Sequence, residues 1–281
     1  MLTHFTSCCL AVLIAGQTSS PLLAQTQETQ RSPTVQNSIV EKLTVAGRPA
    51  FLMLPSHTLP RAAATRQSMP WVWYAPNLPG LPDKAEQWMF DQFLAAGVAI
   101  AGIDVGESYG SPDGRRLFTA LHKHLTEERG MSLRPCLLAR SRGGLMLYNW
   151  AAEHPELVAG IAGIYPVCNL TSYPGLAKAC GAYEIDATQL AATLREHNPI
   201  ERLAALAKAA VPIYHIHGDS DRVVPLADNS GALNERYRKL GGAMVLQVVE
   251  GQGHNMWPGF FECQELVDFV LAQARSTRGI I

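Results

Sequence analysis

The chain has 281 residues, 47% of them apolar and 17% charged, with a formal net charge of −1. That balance suits one globular unit with a sizeable core. It excludes the basic excess of a nucleic-acid binder and an acidic tail for a basic partner. No internal apolar run reaches the ~18 residues a membrane span needs.

The N-terminus stands apart. Residues 7–16 form an apolar run of signal-peptide length, and Ala24 offers a cleavage point. The residues before that run include His4 but no Lys or Arg, so a loosely packed arm is the alternative. Residues 1–24 are read as a signal peptide, which implies a secreted or periplasmic protein. Residues 25–37 are read as a polar, flexible lead-in, and 38–281 as a single domain.

From there strand-like and helix-like segments alternate. Residues 41–56 read as a strand or an early antiparallel hairpin. Residues 69–76 are rich in aromatic and β-branched side chains, as in a buried strand. Residues 84–97 show helical apolar spacing and end on Gly97. A short strand is expected over 98–106, an amphipathic helix over 114–130, a strand over 134–140, and a helix over 143–155 that Pro155 closes. Residues 157–168 contain a strand, 187–197 and 200–209 are helices, and 211–218 is a strand. A helix over 226–242, a strand over 243–251 and a helix over 259–274 complete the chain.

Strands separated by helices of this length predict an α/β fold: a mostly parallel, doubly wound sheet with helices on both faces. The stretch between Cys168 and Val211 is longer than one crossover needs, and is expected to form a small lid or rim.

In such sheets, ligands bind beyond the carboxyl ends of the strands, and three polar clusters fall there. The first is Ala139-Arg140-Ser141-Arg142-Gly143. A serine on a sharp strand-to-helix corner needs small neighbours two residues away on each side, the G-x-S-x-G pattern, and Ala139 here replaces the first glycine. The second is "HIHGDSDRVVP", His215 to Pro225, in which Asp221 or Asp219 can orient an imidazole. In the third, "VEGQGHNMW", Gly251 and Gly253 leave His254 free to swing over a serine.

The order Ser141, Asp221, His254, on these elements, resembles the α/β-hydrolase superfamily, in particular its compact esterases and prolyl-oligopeptidase-like hydrolase domains. The resemblance covers residues 40–275. "HGDSDRVVP" is similar to that group's H-G-x-x-D-x-x-V-P, which favours Asp221 over Asp219. It implies acyl transfer: Ser141 as nucleophile, His254 as base, and Asp221 holding the imidazole tautomer. It also implies an oxyanion hole from the backbone N–H of Arg142 and a second N–H from the loop after residue 76, supplied by Asn77 or Leu78, of which Asn77 is chosen. Tyr74 is a possible phenolic donor, the alternative being a core aromatic.

Substrate-binding candidates are Arg142, Tyr74, Glu107 and Trp257. A serine followed by arginine is reminiscent of glucuronoyl esterases (G-C-S-R-x-G-K), whose cysteine and lysine are missing here. Arg142 either assists the oxyanion and reads the substrate, or turns outward to pair with an acid such as Glu107. Arg140 is expected on the opposite side in a structural role. His217 is expected to brace the acid loop. His122 and His124 are read as lying on a surface helix, and His57 and His154 as solvent or cap residues. Cys168 and Cys180 form either one disulfide or two free thiols, and Cys136 and Cys263 read as buried thiols. No cysteine or histidine spacing suggests a metal, and no cofactor is expected.

The expected function is a serine hydrolase cleaving carboxylic esters, with a small-molecule or carbohydrate ester as substrate. The alternatives are a peptidase acting on short peptides and a non-catalytic binding protein on the same fold.

Overall fold

The computed structural model describes residues 38–56 and 68–276. The signal peptide, the lead-in, Cys8, Cys9 and His57 lie outside the described residues. The chain order is β1 (Ile39–Val45), β2 (Arg48–Leu54), β3 (Trp71–Ala75), α1 (Gln87–Ala95), β4 (Ala99–Ile103), α2 (Pro112–Lys123), β5 (Cys136–Arg140), α3 (Gly143–Glu153) and β6 (Gly160–Ile164). Then come α4 (Leu176–Ala179), α5 (Ala187–Ala192), α6 (Leu194–His197), α7 (Leu203–Lys208), β7 (Ile213–Gly218), α8 (Ala232–Lys239), β8 (Met244–Val249), α9 (Pro258–Phe261) and α10 (Gln264–Ala274).

The eight described strands form one sheet in the order β1-β2-β4-β3-β5-β6-β7-β8. The expected hairpin is present: β1 and β2 are antiparallel, turning at Ala46 and Gly47, both at positive φ. β2 is antiparallel to β4, and from β4 to β8 every pairing is parallel.

β3 to β7 are buried along their whole length, as a sheet covered on both faces requires. Strand alternation sorts the side chains into two cores. Trp71, Trp73, Leu137 and Ala139 join Phe118 of α2 and Trp150 of α3 on one face. Val72, Tyr74, Cys136 and Leu138 join Phe90 and Phe93 of α1 and Val267 and Val270 of α10 on the other. Each large apolar side chain fully buried in these layers contributes ~1.5–3 kcal/mol.

A third apolar cluster lies in the stretch that follows Cys168. Leu170, Ala179, Tyr183 and Leu190 pack on Tyr109, Leu145 and Val224. The stretch between Cys168 and Val211, expected to form a small lid or rim, is built from short helices rather than one crossover. The helix expected over 187–197 is broken at Thr193, whose ψ of 15° leaves the helical range.

One open choice is decided and one expectation changes. Cys168 and Cys180 are both free thiols: Cys168 is buried with its Sγ near Pro166 O, whereas Cys180 points its Sγ to Ala177 O. His122 is not on a surface face. It is 7% exposed, bonds Leu133 O through Nε2 at 2.9 Å, and stacks 6.1 Å from Trp73. His124 does keep a place at the helix edge, 3.0 Å from Glu128. Cys136 and Cys263 are buried, as expected.

Candidate active site

The parallel strands deliver three polar side chains to one end of the sheet. β5 ends at Arg140, and Ser141 turns the chain into α3 with φ +48°. A non-glycine residue in this region is strained by roughly 1–3 kcal/mol, a cost that surrounding structure must hold in place. The holding contacts are visible. Ser141 N donates to Ile164 O at 3.0 Å, and Ser141 O accepts from Val167 N at 2.8 Å. The small +2 residue is a steric need: a Cβ on Gly143 would lie 2.1 Å from Ala75 O. Gly144 is as tightly set: a Cβ there would lie 2.3 Å from Val167 O.

Asp221 follows β7 and His254 follows β8. Ser141 Oγ lies 2.9 Å from His254 Nε2, and His254 Nδ1 lies 2.8 Å from Asp221 Oδ2. The other oxygen of Asp221 accepts from Val223 N at 2.9 Å and Val224 N at 2.8 Å. Burial alone would push this carboxyl up, but hydrogen bonds from His217, His254 and Val224 outweigh it and hold it well below the usual carboxylate range. Asp219 is turned away, accepting from Gly251 N at 2.8 Å.

Behind Asp221 runs a buried chain of polar groups. His215 and His217 share one face of β7, as the alternation predicts. His217 Nε2 faces Val224 O at 2.9 Å and Asp221 Oδ2 at 3.4 Å. Ser230 Oγ bridges His217 Nδ1 at 2.8 Å and His215 Nδ1 at 2.9 Å, and Tyr148 OH meets His215 Nε2 at 2.7 Å. His217 thus braces the acid loop.

Ser141, Arg142 and His254 line an open cleft of about 160 Å³ together with Pro76, Leu81, Arg140, Tyr165, Asn255 and Met256. Several of these were not singled out from sequence. Tyr165 directly follows β6, so the rule of strand carboxyl ends would have found it. Its ring lies 4.4 Å from that of His254. Met256 is two residues past His254 in the same loop. Arg140 was expected on the side opposite Arg142 in a structural role, but both arginines line the cleft; strand alternation sends Arg140 to the face opposite Ala139, and from there it forms part of the cleft wall. Its Nη1 donates to Glu86 Oε1 at 2.6 Å and lies 3.2 Å from Asp83 Oδ2.

The substrate candidates separate. Tyr74 does not reach the cleft: it is fully buried and its phenol donates to Glu86 Oε1 at 2.6 Å. Strand parity puts Tyr74 and Arg140 on one face, where Glu86 meets both. Arg142 Nε lies 3.0 Å from Glu107 Oε1, so the outward ion pair forms while Arg142 still lines the cleft. Glu107 itself is exposed and outside the cleft lining. Asn77 lies between Pro76 and Leu81 in sequence, and its side-chain amide spans the turn, donating to Leu81 O at 3.0 Å in the orientation that satisfies both its ends. Trp257 is 39% exposed and packs edge-on against Phe260 at 5.4 Å, beside the cleft rather than in it. Among the described residues no cluster of His, Cys, Asp or Glu could hold a metal, and no helix is long and apolar enough to cross a membrane.

No protein-family model matches the chain, and no curated protein sequence matches it either. Solved structures do. Porphyromonas gingivalis dipeptidyl peptidase 4 superposes with TM-score 0.66 at 12% identity, over 84% of this chain and 35% of that one. Pyrococcus horikoshii acylaminoacyl peptidase gives 0.65 at 15%, over 87% and 43%. The Thermus thermophilus protein TT1662 gives 0.61 at 18%, over 85% of this chain and 99% of that one. The chain thus spans less than half the length of the two peptidases and nearly the whole of the third protein. With its sheet order and its strand-to-helix corner at Ser141, the chain has the α/β-hydrolase fold.

Proposed function

We propose that the chain is a serine hydrolase working by acyl transfer, and that the bond it cleaves is a peptide or amide bond of a short substrate. The hydrogen-bonded line Ser141–His254–Asp221 carries this reading. In the first step Ser141 Oγ attacks the carbonyl carbon while His254 Nε2 takes its proton. Asp221 keeps the Nδ1 proton in place and stabilises the imidazolium. His254 then gives the proton to the leaving group, and activates water to release the acyl group. The tetrahedral oxygen is stabilised by the backbone N–H of Arg142, at the head of α3 where helix N–H groups lack intrahelical acceptors. The Asn77 backbone N–H is the second donor in this scheme. The Arg142 guanidinium, paired with Glu107, adds positive potential beside it.

The sequence alone favours an ester substrate. The structural neighbours that are named as peptidases support the amide reading instead. A short-chain ester is the second reading, favoured by the small volume of the cleft, about 160 Å³. Export remains a proposal that rests on residues 1–24, and N-terminal sequencing of the mature protein tests it.

The decisive measurement is labelling by a fluorophosphonate, mapped by mass spectrometry, with turnover of N-acyl peptide anilides and p-nitrophenyl acetate alongside. Ser141 is expected to carry the label, and Ser141→Ala to lose both label and turnover. An unlabelled Ser141 sinks the serine-hydrolase reading. Labelled enzyme that cleaves the acetate but no anilide overturns the amide reading in favour of the ester one.

A further inference from the structure

Two strong hydrogen-bond donors in the cleft wall converge on a sulfur atom. Arg140 spends Nη1 on Glu86 and Asp83, and its Nη2 donates to Met256 Sδ at 3.0 Å. The Tyr165 phenol points to the same sulfur at 4.0 Å. Arg140 is 9% exposed and Tyr165 is 2% exposed, whereas Met256 is 49% exposed. A thioether is a weak acceptor, so two buried donors are left well short of the hydration they gave up. An oxygen would serve them far better than the sulfur does.

The sulfur can also move. Met256 has an unbranched, adaptable side chain on the loop after β8, where Gly251 has φ +70°. The donors stay donors: burial pushes the Tyr165 phenol up to about 12 against the pull of Arg140. Charge decides the kind of oxygen. Arg140 already faces the carboxylates of Glu86 and Asp83, so a further carboxylate would meet two like charges. A neutral carbonyl oxygen meets no such penalty.

We propose that Arg140 Nη2–H and Tyr165 O–H form a receptor for a second carbonyl oxygen of the substrate, distinct from the one attacked, and that Met256 covers it between substrates. The favoured substrates are then acylamino or peptide compounds rather than simple acyl esters. This rests on the serine-hydrolase reading of the same cleft.

The test uses two p-nitrophenyl esters of equal chain length, of N-acetylalanine and of 2-methylpentanoic acid, with rates corrected for alkaline hydrolysis. The quantity read is the ratio of their kcat/KM values. The native enzyme is expected to favour the acetylalanine ester by about tenfold. Tyr165→Phe lowers the ratio about fivefold. Met256→Gln places a strong acceptor over the donors and raises KM for the acetylalanine ester, and Met256→Leu raises the ratio. A native ratio near one, or a ratio that neither Tyr165→Phe nor Met256→Gln moves, overturns the receptor. Faster turnover of a p-nitrophenyl hemiglutarate than of the acetylalanine ester overturns the choice of a neutral oxygen. If Ser141 takes up fluorophosphonate and both esters turn over equally, the receptor alone falls. If Ser141 stays unlabelled and neither ester reacts, the hydrolase reading falls and takes the receptor with it.

Discussion

Asp221 divides its work between its two oxygens. One is held by the N–H groups of Val223 and Val224, and the other faces His254. Asp221→Asn keeps the shape but offers an amide where an acceptor is needed, so the imidazole takes the wrong tautomer. Turnover is expected to fall by about three to four orders of magnitude. Asp219→Asn touches the contacts from Gly251 N and Ser220 Oγ, both away from His254, and is expected to cost about tenfold or less. Steady-state kinetics on one substrate compares them, and the reverse ranking would relocate the acid. The choice between these two carboxylates was legible in "HGDSDRVVP". The partners of Tyr74 and Arg140 were not. Alternation shows that two side chains leave opposite or equal faces of a sheet, but not that Glu86, fully buried before α1, waits between them.

At the level of elements, the corner from β5 into α3 is set by close backbone approach. Gly143 faces the end of β3 and Gly144 faces the turn after β6. Gly143→Ala forces a methyl group onto Ala75 O at 2.1 Å. The expected loss is ~1–3 kcal/mol or more of stability, read as a lower urea midpoint, with activity falling as the corner shifts. An unchanged midpoint would show that α3 can move away freely. The need for a small residue at 143 was legible from the corner pattern, whereas the need at 144 was not, because it arises from Val167, a residue on another strand's loop. The cysteines teach the same lesson at this scale. Eleven intervening residues permit a disulfide, yet Cys168 points into the core and Cys180 to its own helical turn.

For the molecule as a whole, the buried histidines couple folding to pH. His215 is fully buried, and burial, with His217 beside it, pushes its pKa down to about 3. Unfolded, it titrates near ~6.5. Between those values the unfolded chain binds the extra proton, so stability rises with pH there and is lost on acidification. Asp221, held below the usual carboxylate range, loses stability in the same direction at lower pH. Urea unfolding is expected to show a midpoint that falls steadily from pH 7 to pH 4, and His215→Gln is expected to flatten that slope. Equal slopes in the two proteins would mean that the relay behind the acid is not what acid attacks.

The sequence by itself determined the alternation of strands and helices, the α/β class, and the chain order of a serine, an acid and a histidine at strand ends. Those signals are local: hydrophobic period, turn glycines and a short motif each report on their own neighbourhood. Only the tertiary structure decided that β4 lies between β2 and β3. It also decided that His122 is stacked inside the core, that Tyr74 is withdrawn from the cleft, and that Arg140 and Tyr165 meet at Met256. Each of these depends on which distant segment packs against a given face. That is set by how all the layers fill space together rather than by any one stretch of chain.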